Sequence, residues 1–185
     1  MMVQSKTRKL SVTAMLAAVA TVLMFLDFSI PIVPSFIKLD VSELPALLAA
    51  YSLGPVSGVA VCLIKNLAHL PFTGSAGVGE LSNFILGAVF VGVAGLFYRR
   101  KKTRKSAFFG AAVGALAMAA ISVVTNYFVV YPAYVVLYNM QMNAIIGMYQ
   151  AILPASDTLI KSLLIFNLPF TFVKGLIDTA VCFAV

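Results

Sequence analysis

Apolar residues dominate this chain in long blocks, and the few interruptions gather as prolines, glycines and charges. The block at 107–124 is apolar on every face, without the alternation that a membrane barrel strand carries over roughly 10 residues. In hydrocarbon such a block satisfies its own backbone only as a helix. Six helices are predicted, at about 10–28, 44–52, 56–70, 78–98, 107–138 and 158–185. The first has no small-residue cleavage site and is expected to remain as a span. The pattern predicts an all-α integral membrane protein whose residues 1–185 form a single six-helix domain, without an internal repeat or a linker.

The interruptions divide these blocks. Pro31 and Pro34 make 29–43 an extended connection. Ser42 is placed to cap the second helix, with Pro45 in its first turn. The Leu-Gly-Pro turn at 53–55 splits an otherwise continuous stretch into a short helix and a full-length one. Pro132 and Pro169 predict kinks in the fifth and sixth helices. The connection at 139–157 is moderately apolar and expected to be partly helical.

Composition fixes the environment, and charge fixes the orientation. The chain is 62% hydrophobic and 10% charged, against roughly half and a quarter in a soluble domain, so the cell membrane is its expected location as a multi-pass protein. Cys62 and Cys182 sit inside apolar blocks and, with 1 His in the chain, imply neither a disulfide framework nor a metal site. Of 13 basic residues, nine fall in two places: Lys6, Arg8 and Lys9, then Arg99, Arg100, Lys101, Lys102, Arg104 and Lys105. The positive-inside rule puts both clusters in the cytoplasm, and with six spans both termini follow. A short basic loop between spans lacks the aromatic or groove-fitting context of a nucleic-acid surface, so lipid and not nucleic acid is the expected surrounding.

The stretch 65–84 is where the chain departs from plain spanning sequence. Lys65, Asn66, His69, Glu80 and Asn83 surround a glycine-rich connection, and polar groups at membrane depth are costly unless they face a cavity or each other. They read as one wall of a binding site opening away from the cytoplasm. The run 74–80 has the glycine spacing of a phosphate loop, but Glu80 stands where lysine is needed and Leu81 where Ser or Thr would hold magnesium. A hydrolase using Ser75 and His69 lacks an evident carboxylate to orient the imidazole. No catalytic residue is assigned; an intramembrane enzyme built on Glu80 and His69 is the rival from a different class.

Further along, Asn126, Tyr127 and Tyr131 combine an amide with aromatic surface, which suits a flat heterocycle with a hydrogen-bonding edge. Tyr134 and Tyr138 fit interfacial anchoring better. Lys174 and Asp178, four residues apart, share a helix face and are expected either to pair with each other or to serve a ligand. Ala14 and Ala18 form a small-xxx-small pair, fit for packing within the bundle or for docking a partner helix.

With these residues assembled, the sequence resembles the riboflavin-specific S components of energy-coupling-factor (ECF) vitamin transporters. The family shows an L-D-x-S-[DE]-L-P motif, an L-G-P turn, an I-K-N-L-x-H segment and a G-E-L-x-N-F segment; here they stand at 39–45, 53–55, 64–69 and 79–84. Its P-F-N-x-x-K-G motif reads PFTFVKG at 169–175, with Thr171 in the Asn position and Asn167 about one turn away. The resemblance implies a subunit that captures riboflavin from outside the cell for ATP-driven uptake. It implies partners as well, a transmembrane T component and two ATPase subunits, with Ala14 and Ala18 docking the T component. Riboflavin would be transported ligand, with no cofactor. Asn126 and Lys174 would meet the polar edge of its ring, and Glu80, Asn83, Asp40 and His69 its ribityl hydroxyls. Leu39, Tyr127, Tyr131 and Asp178 complete the candidate set. An S component for another flat vitamin, thiamine or a folate, is the alternative ligand reading.

The parity of spans is open to a direct test. Cysteines introduced at Arg100 and at Ser35 should label from opposite sides of the membrane, and same-side labelling would refute the division of 44–70 into two helices.

Overall fold

The computed structural model describes residues 6–31, 33–34 and 37–184. Ser35, chosen above for labelling, lies outside the described residues, as does Val185 at the end of the predicted sixth helix. Among the described residues, five helical stretches are long and apolar enough to cross a membrane: Lys6–Met24 (α1), Pro55–Phe72, Val78–Arg100 (α4), Arg104–Tyr138 and Leu159–Ala184. Glu43–Leu53 (α2) is apolar but has 11 residues, about 17 Å at the rise of an α-helix.

The first helix ends at Met24 rather than near 28. Phe28–Ser29 (β1) pairs antiparallel with Lys38–Leu39 (β2), Phe28 opposite Leu39. Lys38 Nζ lies 2.9 Å from Asp27 Oδ2 at the base of this ribbon. The predicted extended connection thus folds back on itself at one end of the bundle, here called the ribbon end. The basic loop around Lys101 marks the other end.

The Leu-Gly-Pro turn forms as read. Gly54 has φ 105°, a left-handed conformation that favours glycine, and Pro55 opens the next helix, α3 (Pro55–His69). The hairpin closes tightly: a Cβ on Gly58 would lie 2.7 Å from Ala50 Cβ and 2.8 Å from the Ala46 carbonyl. The same device joins α4 to α5 (Arg104–Thr125), where a Cβ on Gly114 would meet the Phe90 carbonyl at 2.6 Å. Where van der Waals packing rather than water drives association, such close backbone approach is what holds helices together. The core accordingly collects small side chains, including Ala46, Ala49, Ala50, Ala94, Ala111 and Ala115, around Leu47, Phe90 and Met118.

Ser42 does not cap α2 with its side chain. Its backbone N–H donates to Asp40 Oδ1 at 2.9 Å, and its hydroxyl also donates to Asp40. Asp40, two residues upstream, competes for the groups that a cap would use.

Neither internal proline breaks its helix. Ahead of Pro132 the chain widens into a π-turn over Asn126–Val130, with Tyr131 N–H donating to the Asn126 carbonyl, and resumes as α6 (Tyr131–Tyr138). Ahead of Pro169 the same occurs over Leu163–Asn167, between α8 (Leu159–Ser162) and α9 (Leu168–Ala184), with Leu168 N–H donating to the Leu163 carbonyl. A proline ring would strike the carbonyl four residues back, and the wider turn carries that carbonyl aside. Between α6 and α8, Met142–Gln150 forms α7, the helix expected in that connection.

On α1 the buried positions are Thr13, Ala17, Ala20 and Met24. Ala14 and Ala18 lie on the exposed face, so packing within the bundle is not their role.

Candidate functional site

A cavity of about 450 Å³ opens between the β2–α2 connection, the start of α4, the π-turn at Asn126–Val130 and α9. Pockets for drug-sized ligands span about 300–1,000 Å³. Its wall includes Asp40, Glu43, His69, Glu80, Asn83, Asn126, Tyr131, Asn167, Thr171 and Lys174, with Met118, Val130 and Phe170 as apolar surface.

On one side of the wall runs a buried chain of charges. Lys174 Nζ donates to Asp40 Oδ2 at 2.8 Å. Asp40 accepts from Ser42, and Lys65 Nζ donates to Ser42 Oγ at 2.5 Å and to Glu43 Oε1 at 2.7 Å. Cys62 Sγ lies 3.4 Å from Glu43 Oε2. Lys65 and Glu43 are 0% and 2% exposed, so each depends on the other for its charge. Gly87 makes room for this carboxylate: a Cβ there would stand 2.6 Å from Glu43 Oε2. Burial alone would push the Asp40 carboxyl up, but Lys174 and Lys65 beside it hold it well below the usual carboxylate range.

A second cluster centres on Glu80, in the first turn of α4. Its Oε2 accepts from Thr73 Oγ1 at 2.7 Å and from Ser75 Oγ at 3.1 Å, and its Oε1 lies 2.8 Å from His69 Nδ1. A carboxylate is therefore placed against the imidazole after all. Ser75 donates to Glu80, however, and Ser75 Oγ accepts the Gly79 N–H at 2.9 Å, so the hydroxyl serves the helix start and the carboxylate rather than the imidazole. His69 stacks on Phe25, ring centroids 4.8 Å apart, and Tyr138 donates its hydroxyl to the Gly74 carbonyl at 3.1 Å.

Of the sequence candidates, Asp40, His69, Glu80, Asn83, Asn126, Tyr131 and Lys174 meet on this one cavity. Leu39, Tyr127 and Asp178 do not line it. Leu39 is buried in the ribbon. Tyr127 is 41% exposed on the outer surface. In a regular helix it would share a face with Tyr131, four residues on; the π-turn adds a residue between those faces and separates them.

Of the two roles expected for Lys174 and Asp178, pairing with each other is not observed. Lys174 pairs with Asp40, and both Asp178 oxygens are buried without a hydrogen-bond partner among the described residues. Helical side chains tilt toward the N-terminus, so Lys174 reaches back to the ribbon end and away from the residue one turn later.

Thr171, Tyr134 and Glu43 were not picked out as site residues by sequence, and Asn167 was noted only as an amide about one turn from the motif's Asn position. Asn167, Thr171 and Lys174 form a 4-then-3 row on one helical face, a signal that extends from the lysine to the other two. Asn126 donates one amide N–H to the Ser122 carbonyl at 2.7 Å, and Asn83 carries a buried Oδ1 with no partner among the described residues. Buried acceptors of that kind are expensive unless a ligand or water meets them. The arrangement suits a molecule with a flat apolar body and several polar groups.

A family model described as "ECF transporter, substrate-specific component" matches residues 8–185. The chain is 36% identical to "Riboflavin transporter RibU" of Staphylococcus aureus over 73% of this chain and 71% of that one. It is 33% identical to "Riboflavin transporter FmnP" of Bacillus subtilis over 95% and 88%. A solved structure described as "Structure and mechanism of the S component of a bacterial ECF transporter" superimposes with a TM-score of 0.77 at 32% identity, covering 97% of this chain and 94% of that one.

The pairing of Lys174 with Asp40 has a measurable consequence. Lys174→Met leaves Asp40 charged and unpaired and should lower stability in detergent by about 3 kcal/mol, with Asp40→Asn in addition restoring most of it. Because the Asp40 carboxyl is held down, the pair's contribution is present above the ordinary carboxylate pKa of about 3.9 and is lost only as pH falls below it. Thermal unfolding of the wild type and both variants should show the difference most fully at about pH 8; without Lys174 burial pushes the Asp40 carboxyl up, so the difference narrows as pH falls. Restoration by Asp178→Leu instead would return the pairing to Asp178.

Proposed function

The chain belongs to the family of ECF transporter substrate-specific components, and from that premise we propose that it is the subunit that captures riboflavin outside the cell for uptake. It is a multi-pass membrane protein of a transporter family, not an enzyme. The observation that carries the ligand reading is the 450 Å³ cavity, whose polar groups are unevenly divided. Riboflavin's ring presents two carbonyls flanking an N–H on one edge and a dimethyl edge opposite. Lys174 and Asn126 offer donors, and Asn126 also an acceptor, for the first edge; Met118, Val130 and Phe170 offer apolar surface for the ring body. Glu80, Asn83, His69 and Asp40 supply the mixed donors and acceptors that a ribityl chain requires.

Energy would come from two ATPase subunits acting through a transmembrane T component. The exposed Ala14 and Ala18 give α1 a smooth strip against which a partner helix can pack closely. Six spans in a single domain with both termini in the cytoplasm is the arrangement that the two basic clusters support. In it α2 is a half-length span within a hydrocarbon core of about 30 Å, its Glu43 neutralised by Lys65.

Purified protein should carry flavin absorbance or bind added riboflavin at one per chain. A protein that unfolds cooperatively yet never binds riboflavin would overturn the ligand assignment. Ala14→Trp should leave this binding within about twofold but abolish uptake by cells that hold the coupling module, since bulk at the strip blocks approach without touching the cavity.

A further inference from the structure

Three side chains at one wall of the cavity close a ring of hydrogen bonds. Tyr149 donates its hydroxyl to Asn167 Oδ1 at 2.7 Å. Asn167 Nδ2 donates to the Tyr131 hydroxyl at 3.4 Å, and the two tyrosine hydroxyls bond to each other. With Tyr131 donating to Tyr149, each member gives one proton and accepts one, so the ring is complete. Tyr131 and Tyr149 are 1% and 0% exposed. Burial, with Tyr131 beside it, pushes the Tyr149 phenol above its ordinary value, and it stays protonated and able to donate.

The three members do not stand in the same relation to the cavity. Tyr131 and Asn167 line it, whereas Tyr149 lies behind them on α7, in the connection at the ribbon end. The ring therefore turns the amide oxygen of Asn167 back toward α7 and its nitrogen toward the cavity side, where Tyr131 stands. One amide N–H is used in the ring, and the second has no partner among the described residues. Asn167 closes the π-turn ahead of Pro169 and sits on the helical face that carries Thr171 and Lys174. Asn126 opens the other π-turn on the same cavity.

We propose that Asn167 donates its second amide N–H to the polar edge of the bound ligand, and that Tyr149 is the positioning residue that holds the amide in that orientation. This rests on the riboflavin reading above and names the acceptor as a ring carbonyl. It also gives α7 a task, since a helix outside the cavity wall then bears on ligand selection through a single hydroxyl.

The test is a double-mutant cycle on the full chain in detergent, with riboflavin titrated by fluorescence quenching and thermal unfolding followed alongside. Asn167→Leu should weaken riboflavin binding about tenfold, the loss of one hydrogen bond to a buried edge. Tyr149→Phe should weaken it about threefold to tenfold when Asn167 is present, and less than about twofold when combined with Asn167→Leu. The long-wavelength absorption band of bound riboflavin should shift with Tyr149→Phe in the first background and not in the second. Equal losses in both backgrounds would mean that Tyr149 only docks α7, and an effect of Asn167→Leu below about twofold would remove Asn167 from the ligand; either result overturns the proposal. Should Asn167→Leu fail to fold, Asn167→Ser carries the cycle, because it keeps a hydroxyl near Tyr149 but withdraws the amide. Wild-type protein that binds no riboflavin would defeat the functional reading and this proposal together; wild-type binding without coupling would defeat this proposal alone.

Discussion

The structure depends on keeping full charges out of contact with hydrocarbon. Lys174, Asp40, Ser42, Lys65 and Glu43 form one connected chain, and its members come from α9, the β2–α2 connection, α2 and α3. An isolated ammonium or carboxylate at this depth would cost several kcal/mol, so each group compels its partner's position. The chain therefore joins segments far apart in sequence and gives one wall of the cavity a fixed polar surface. Lys174 and Asp40 belong both to this framework and to the cavity wall, so a ligand that engages either one also acts on how the ribbon end is held.

The membrane helices were legible because lipid imposes a simple rule on sequence: long apolar blocks, interrupted where the chain must turn. Gly54-Pro55 and the glycines of α5 carried their meaning openly. The polar candidates were legible for the converse reason, since Asn126 and Lys174 interrupt apolar blocks and Glu80 belongs to a polar cluster rare in this chain. Direction and pairing were not. Lys174 reaches Asp40 across 134 residues of sequence, and spacing alone favoured Asp178. Prolines at 132 and 169 announced a disturbance, but not that it would take the form of a wider turn. That extra residue parted Tyr127 from Tyr131, which no helical periodicity foresees. The ribbon of β1 and β2 has two residues per strand, too short to leave a pattern.

The cavity is bounded by irregular backbone as well as by side chains. Two π-turns, one glycine-rich connection and one short ribbon surround it, while regular helix makes up the remainder of the bundle. Irregular backbone at membrane depth is tolerated where it is shielded by protein or faces a polar space. Here it supplies asparagines at 126 and 167 to the cavity wall.

The seat of the Glu43 carboxylate bears on how the sequence can change over generations. Gly87 has no room for a side chain while Glu43 is there, and Glu43 cannot be shortened without stranding Lys65. Discharging Lys65 first strands Glu43 in turn. Every single step away from this trio meets a clash or an orphaned charge, so the routes that remain replace several of its members at once. The three positions thus behave as one inherited unit.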